Sequence, residues 1–513
     1  MFRSTAITGP LRAASRPSSP GGGRRSARLF FPLRGRSAEG AEGASKAVKL
    51  GLRVSLVAGI SLMAAACAVG PNYKAPATPP AAFQNADPAV FTAANPEAEW
   101  WKAFGDPVLD QLVGQAFSAN LDLKIAVARV AEARALFTEQ KLDLLPHVTA
   151  DGTYAKSNQQ QPGSNGQRVE SQTYQAGFDA GWEIDLFGRV RRGVEAAGAE
   201  AGAAQAELRD AQVTVAAEVA RNYLELRGAQ ARLKVATRNL ETQRETLRLT
   251  KVRFDAGAGS PIDVASAQAR LNATEAAIPV LITAEKRANY RLAVLTGQRP
   301  GALDALLVPR ETDVRPLVTA LPIGEAGELL RRRPDVQAAE RRLASSTAQV
   351  GVATADLFPR VSVTGFVGFL SGTSAGFGNS ASKAWSVAPT VSWPALDLGS
   401  AHARLRAAKA RDDAALANYD QTVLRALEDL ENALVSYRQQ QAQLNSLTDQ
   451  AAASRRAAEL ARIQYKEGGI DFLVLLDAER TLLAAEDALS VAETGVNTDV
   501  VAIYKALGGG WKA

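Results

Sequence analysis

The sequence predicts a mixed fold of long α-helices and membrane-type β-strands, built from one unit used twice. Three observations lead there. Residues match one another at a fixed offset along the 513-residue chain. Four segments of about ten residues alternate apolar with polar or small side chains, and two 68-residue stretches hold no proline and repeat apolar residues every seven positions.

The duplication organises everything else. At an offset of 211, Phe254 falls on Tyr465, Gly257 on Gly468, Ser260 on Asp471, Gln268 on Glu479, Trp182 on Trp393, Gly188 on Gly399 and Gly297 on Gly508. At 213, Asp122 falls on Asp335, Arg129 on Arg342, Pro146 on Pro359 and Gly152 on Gly365. The change of offset places a two-residue difference in one loop. Two repeats follow, 106–309 and 310–508, with an N-terminal extension at 67–105 and a tail at 509–513.

Each copy reads as helix, strand, loop, strand, long helix, tip, helix. VTADGTYA (148–155) and TYQAGFDAGWEID (173–185) alternate with a period of two, as do RVSVTGFVGFL (360–370) and KAWSVAPTVSWP (383–394). Pro389 is an awkward guest in the last strand. The long helices run from Arg189 to Ala256 and from Ser400 to Glu467, each reaching roughly 100 Å at about 1.5 Å per residue. Val219, Leu226, Leu233, Leu240, Leu247 and Phe254 form one column, and Leu430, Tyr437, Leu444, Ala451, Ala458 and Tyr465 its counterpart. A seven-residue repeat is the pattern of coiled-coil packing.

RFDAGAGSPIDVASAQ (253–268) marks the first helical tip. Gly257 and Gly259 can take the positive φ that ends a helix. Ser260 is an N-cap, Pro261 suits the first helical position, and Asp263 completes a capping box. The second tip lies in QYKEGGIDFLVLLDAE (464–479), with Asp471 as its N-cap.

Strands of this length and alternation suit a membrane β-barrel. Four cannot close one, and open sheet edges are not tolerated in lipid. Three copies would supply twelve strands. A soluble sheet hairpin on a coiled-coil stalk is the other arrangement that fits the pattern.

The formal charge of +6 does not point to nucleic acid, because residues 1–66 alone carry +9 and the remainder −3. A single cysteine, two histidines and no HExxH or CxxC spacing support neither a disulfide framework nor a metal centre. No nucleophile–base pair or phosphate loop suggests an enzyme, and no cofactor is expected. Residues 46–67 follow the signal-peptide plan: Lys46, Lys49 and Arg53, an apolar run from Val54 to Met63, then small residues. The ending Ala64-Ala65-Ala66-Cys67 resembles a bacterial lipobox, with Ala64 where leucine is usual, and makes Cys67 the lipid-bearing residue. An ordinary A-x-A cleavage beside an incidental cysteine is the alternative. Residues 1–45 have a transit-peptide-like composition or precede the true start; the complete signal behind them favours the second.

CAVGPNY (67–73), WWKAFGDPVLDQLV (100–113), NLDLKIAVARVAEARA (120–135), WEIDLFGRVRR (182–192) and YKALGGGW (504–511) resemble the TolC-family outer-membrane efflux lipoproteins, the branch serving resistance-nodulation-division pumps. The resemblance covers about residues 67–511. It implies a homotrimer with a twelve-stranded barrel in the outer membrane and a helical barrel through the periplasm. It also implies a passive exit duct, fed by an inner-membrane pump through a periplasmic adaptor. By position it makes the tips the adaptor docking site: Gly257, Ala258, Gly259 and Ser260 with Gly468, Gly469, Ile470 and Asp471. Leu473 resembles an apolar constriction, Asp477 an acidic ring one turn on, and Asp263 and Tyr465 a link between helix pairs of the closed mouth. Capping by Asp263 and Asp471, packing by Leu473 and Tyr465, and a pair between Asp477 and Arg480 are the structural roles these residues could have instead. A type I protein-secretion duct and a lipid-anchored coiled-coil scaffold without a pore are the rival functions.

Overall fold

Two stretches without proline and rich in Ala, Leu, Gln, Glu and Arg each become one uninterrupted helix. In a computed structural model, residues 68–77, 83–160, 168–310, 316–317 and 320–511 are described. Cys67 and the expected signal segment lie outside them. The first repeat comprises α1 (Pro107–Ala119), α2 (Leu121–Leu142), β1 (His147–Gln160), β2 (Arg168–Ile184), α3 (Arg189–Asp255) and α4 (Pro261–Leu295). The second comprises α5 (Ala326–Arg332), α6 (Pro334–Ala355), β3 (Arg360–Ser371), β4 (Lys383–Ser392), α7 (Leu398–Lys466) and α8 (Phe472–Ala506). The long helices α3 and α7 have 67 and 69 residues.

The second heptad column is buried throughout, from Leu430 to Tyr465. The first is buried at Val219, Leu226, Leu240 and Leu247, but Phe254 is 40% exposed. The reason lies one tip away. Tyr465 packs edge-on against Phe472, with ring centroids 5.8 Å apart. Phe472 has Pro261 as its counterpart in the first repeat, so Phe254 lacks an aromatic cover.

The strands form one antiparallel sheet in the order β1-β2-β3-β4, leaving β1 and β4 as edges. They have 14, 17, 12 and 10 residues, so three exceed the ten-residue expectation. The register gathers the apolar sets onto one face. Val148, Ala150, Gly152 and Tyr154 align with Ala180, Phe178, Ala176 and Tyr174; these continue into Val367 and Val363 of β3, then Trp385 and Pro389 of β4. Pro389 is tolerated because β4 is an edge strand. Aromatic residues stand at both ends of this face: Tyr174 and Trp182 on β2, Trp385 and Trp393 on and just after β4. Each pair is eight residues apart, roughly 27 Å along a strand, which when tilted crosses about 20 Å of apolar band. Trp182 Nε1 donates to Leu144 O at 3.1 Å, and Trp393 Nε1 to Leu357 O at 3.0 Å, so the duplication repeats down to single hydrogen bonds. β3 pairs no further than Tyr174, so beyond it β1 and β2 continue alone as a polar ribbon carrying the exposed Lys156–Glu170 ion pair.

The main core lies midway along the helices, where α1, the centres of α3 and α7 and the end of α8 meet around Trp100, Leu109, Leu112, Tyr223, Leu226, Leu434, Tyr437 and Val500. Trp100 stacks on Tyr504 at 5.2 Å. A Cβ on Gly509 would lie 3.1 Å from Trp100 Cδ1, which explains why the C-terminal segment is glycine there. Asp106 is the polar knot of this core. It caps α1 through Val108 N at 3.0 Å, accepts from Arg310 Nη1 on both carboxylate oxygens at 3.0 Å and from the Tyr223 hydroxyl, and is 6% exposed. Burial would raise its pKa, but hydrogen bonds from Tyr223, Val108 and Arg310 hold it below the usual aspartate range. We expect Asp106→Ala to cost about 1–3 kcal/mol, since Tyr223 loses its acceptor while Arg310 can still reach water. Thermal unfolding followed by helical circular dichroism measures the loss; an unchanged midpoint would show the knot to be incidental.

Candidate functional site

Both tips are closed by the same pair of backbone hydrogen bonds. At the first, Gly257 (φ 74°) donates to Phe254 O at 2.9 Å and Ala258 to Arg253 O at 2.8 Å. At the second, Gly468 (φ 80°) donates to Tyr465 O at 3.1 Å and Gly469 to Gln464 O at 2.8 Å. Every donor and acceptor is displaced by 211. Gly259 departs from the expectation of positive φ: it is glycine because a Cβ would approach Phe254 N to 3.1 Å. Ser260 accepts from Ile262 N at 3.1 Å and Asp263 from Ser260 N at 3.0 Å, completing the capping box. Asp471 occupies the N-cap position of α8 without a side-chain cap hydrogen bond.

The two residues expected at a constriction share one face of α8. Leu473 is 61% exposed, and Asp477, one turn on, pairs with Arg480 at 2.7 Å. Their face points away from the buried one, which carries Phe472, Leu475, Glu479 and Leu482. Ile262 is the counterpart of Leu473 at offset 211 and is 70% exposed, an apolar position at the first tip that the offset could have revealed.

Asp263 and Tyr465 are not brought together within the chain. Asp263 is engaged by its own cap. Tyr465 is buried beneath the Arg253 guanidinium, 4.5 Å from the ring centroid, and Arg253 Nη1 donates to Tyr465 O. The link between the tip ends of α3 and α7 therefore runs through Arg253.

Above it, α8 is fastened by two buried glutamates. Glu479 accepts from Arg462 Nε of α7 at 2.9 Å and Thr246 Oγ1 of α3 at 3.0 Å. Glu486 accepts from Arg455 Nη2 of α7 at 2.8 Å, and from Arg238 and Asn239 of α3. Both are nearly inaccessible, at 3% and 5%. The partners recur every seven residues on each helix: 479 and 486, 455 and 462, 239 and 246. This polar column runs beside the apolar one with the same period. Burial alone would raise the Glu486 pKa, but the bonds from Arg455, Arg238 and Asn239 hold it below the usual glutamate range.

At the other end of the helices, the segment from Ala68 to Asn72 docks beside the start of α3. Val69 N donates to Phe187 O at 3.0 Å, Arg192 Nη2 donates to Asn72 Oδ1 at 2.6 Å, and Gly188 (φ 84°) admits Ala68 against its backbone. Position 68 thus lies where β2 gives way to α3. Among the described residues no helix is long and apolar enough to cross a membrane, and no cluster of His, Cys, Asp or Glu could hold a metal ion.

An apolar sheet face bounded by aromatic residues and joined to helices of about 100 Å defines a membrane duct with a long extramembrane stem. The chain belongs to the outer membrane efflux protein family, whose model matches residues 112–298 and 326–509. It is 32% identical over 447 residues to nodulation protein T of Rhizobium leguminosarum bv. trifolii, covering 84% of this chain and 92% of that one. To outer membrane protein OprJ of Pseudomonas aeruginosa it is 32% identical over 456 residues, covering 88% and 95%. The structure of the outer-membrane channel OprN superposes with a TM-score of 0.84 at 51% identity, covering 87% and 100%. The chain is accordingly an outer-membrane efflux duct with a periplasmic helical domain.

Removing Glu486 by substitution with alanine leaves Arg238 and Arg455 facing each other without an anion. We expect a cost of about 1–3 kcal/mol, discounted because both arginines are half exposed. Because the folded pKa is depressed, the clasp's contribution is full above the ordinary glutamate value and is lost as pH falls through the folded one. Protection against hydrogen exchange in the tip half of α8, taken relative to the intrinsic rate at each pH, should fall below about pH 4.3 in the wild type and be low already at neutral pH in Glu486→Ala. Equal exchange in the two proteins at neutral pH would remove the clasp from consideration.

Proposed function

We propose that three copies of the chain form a single passive exit duct, in which twelve strands close a barrel and the helices a periplasmic tunnel. The observation that carries this reading is the four-stranded sheet, apolar on one face and unpaired at both edges. In hydrocarbon each unpaired backbone group costs several kcal/mol, and closure with neighbouring copies removes every edge. Energy then comes from an inner-membrane pump of the resistance-nodulation-division type, reached through a periplasmic adaptor, and the duct performs no chemistry of its own.

The tips, Gly257 to Ser260 and Gly468 to Asp471, together with Ile262, are the adaptor docking surface. Leu473 and Asp477 close the mouth. Their face of α8 is unused by the chain's own packing, which leaves it for the axis where three copies meet. Three Asp477 carboxylates around one axis repel, each tempered by Arg480, so apolar packing of Leu473 and the Arg253–Tyr465 link hold the mouth shut. Docking at the tips shifts the population toward the open form.

Single-channel recording in planar bilayers tests this directly. Wild type should give small, rare openings, and Leu473→Ala with Asp477→Ala large, sustained ones; unchanged conductance would falsify the gate. Lipidation of Cys67 is a separate matter, supported by the docking of Ala68 at the strand–helix junction. Labelled palmitate should enter the wild type and not Cys67→Ser. Incorporation into both would place the acyl group elsewhere.

A further inference from the structure

The second face of the sheet lines the lumen of the proposed barrel, and it is not uniformly polar. Thr149, Asp151, Gln175, Asp179, Thr364, Ser386 and Thr390 fall on it by alternation, and so does Phe366. Phe366 aligns with Asp179 on one side and Ser386 on the other. Its ring lies over two facing glycines. A Cβ on Gly177 would come 2.6 Å from Phe366 Cε2, and one on Gly368 2.9 Å from Phe366 Cζ. The glycines make a bed for the ring, which therefore lies along the wall and remains half-exposed on its outer side. The side-chain carboxylate of Asp179, beside it, has no hydrogen-bond or ion-pair partner among the described residues.

We propose that Phe366 and Asp179 form a station for planar organic cations on the barrel wall. The ring offers a π-face and the unpaired carboxylate a counter-charge, the two features such a ligand needs at once. This inference rests on the trimeric barrel. Twelve strands about 4.8 Å apart and tilted by about 40° give a wall roughly 24 Å across, and side chains narrow the lumen to roughly a dozen ångströms. A drug-sized solute passes within contact distance of the wall, so three stations retard it without plugging the duct.

Ethidium is a suitable probe, titrated by fluorescence anisotropy against the full-length trimer in detergent. Phe366→Ala and Asp179→Asn should each weaken binding about 5- to 10-fold, and Phe366→Tyr should keep most of it. Phe178→Ala removes an aromatic ring from the opposite, lipid-side face and serves as the control for detergent partitioning. Equal affinity of wild type, Phe366→Ala and Asp179→Asn would overturn the station, as would an equal loss in Phe178→Ala. Channel recordings on the same samples separate the two readings: conductance without a Phe366 effect removes the station alone, and absence of conductance removes the duct and the station with it.

Discussion

A strand edge in hydrocarbon has nowhere to send its amides and carbonyls. Water is absent, and the energy of one bare edge exceeds what a single small domain can spare. The sheet described above has two such edges and one apolar face, so it cannot be at rest in a membrane as a single chain. The helices inherit the consequence. In the proposed trimer, the four strands occupy a third of a ring and the helices hanging from them a third of a tunnel. The midway core, with Asp106 and Trp100, then joins the two repeats, the N-terminal extension and the C-terminal segment into one wedge.

Much of this was legible from the residues. The offset of 211 located both tips, the matching tryptophans and the long helices to within two residues, because a duplicated unit reports its own boundaries twice. Alternation located the four strands, since a half-exposed sheet cannot hide its period of two. What escaped had physical reasons. Strand lengths were underestimated because β1 and β2 run on as a polar ribbon, where no apolar alternation marks them. The glutamate clasp escaped because burial of charge is paid for by partners on other helices, and only their proximity in space makes it tolerable. Gly259 lies in a sequence that suggests backbone freedom, whereas its role is close approach. The contact of Arg253 with Tyr465 depends on where two helices end relative to each other, which no local pattern encodes.

The clasp and the apolar column divide the labour along α8. Methyl groups pack at many relative positions of two helices with small differences in energy. A carboxylate held by a guanidinium and a hydroxyl, as Glu479 is, or by two guanidinium groups and an amide, as Glu486 is, tolerates far fewer. Glu479 and Glu486 therefore fix the register of α8 against α3 and α7, while Leu473 and Asp477, nearer the tip and facing the other way, are left without such fastening.

The two-stranded ribbon beyond Tyr174 belongs to neither the barrel nor the stem. Its side chains face solvent and its edges are unpaired by β3, so little of the folding energy depends on them. Substitutions there leave the core, the clasp and the lipid-facing belt untouched. The part of the molecule most visible from outside the cell is thus the part freest to change, and a lineage under attack from antibodies or phage can alter its outward appearance while the conduit beneath stays the same.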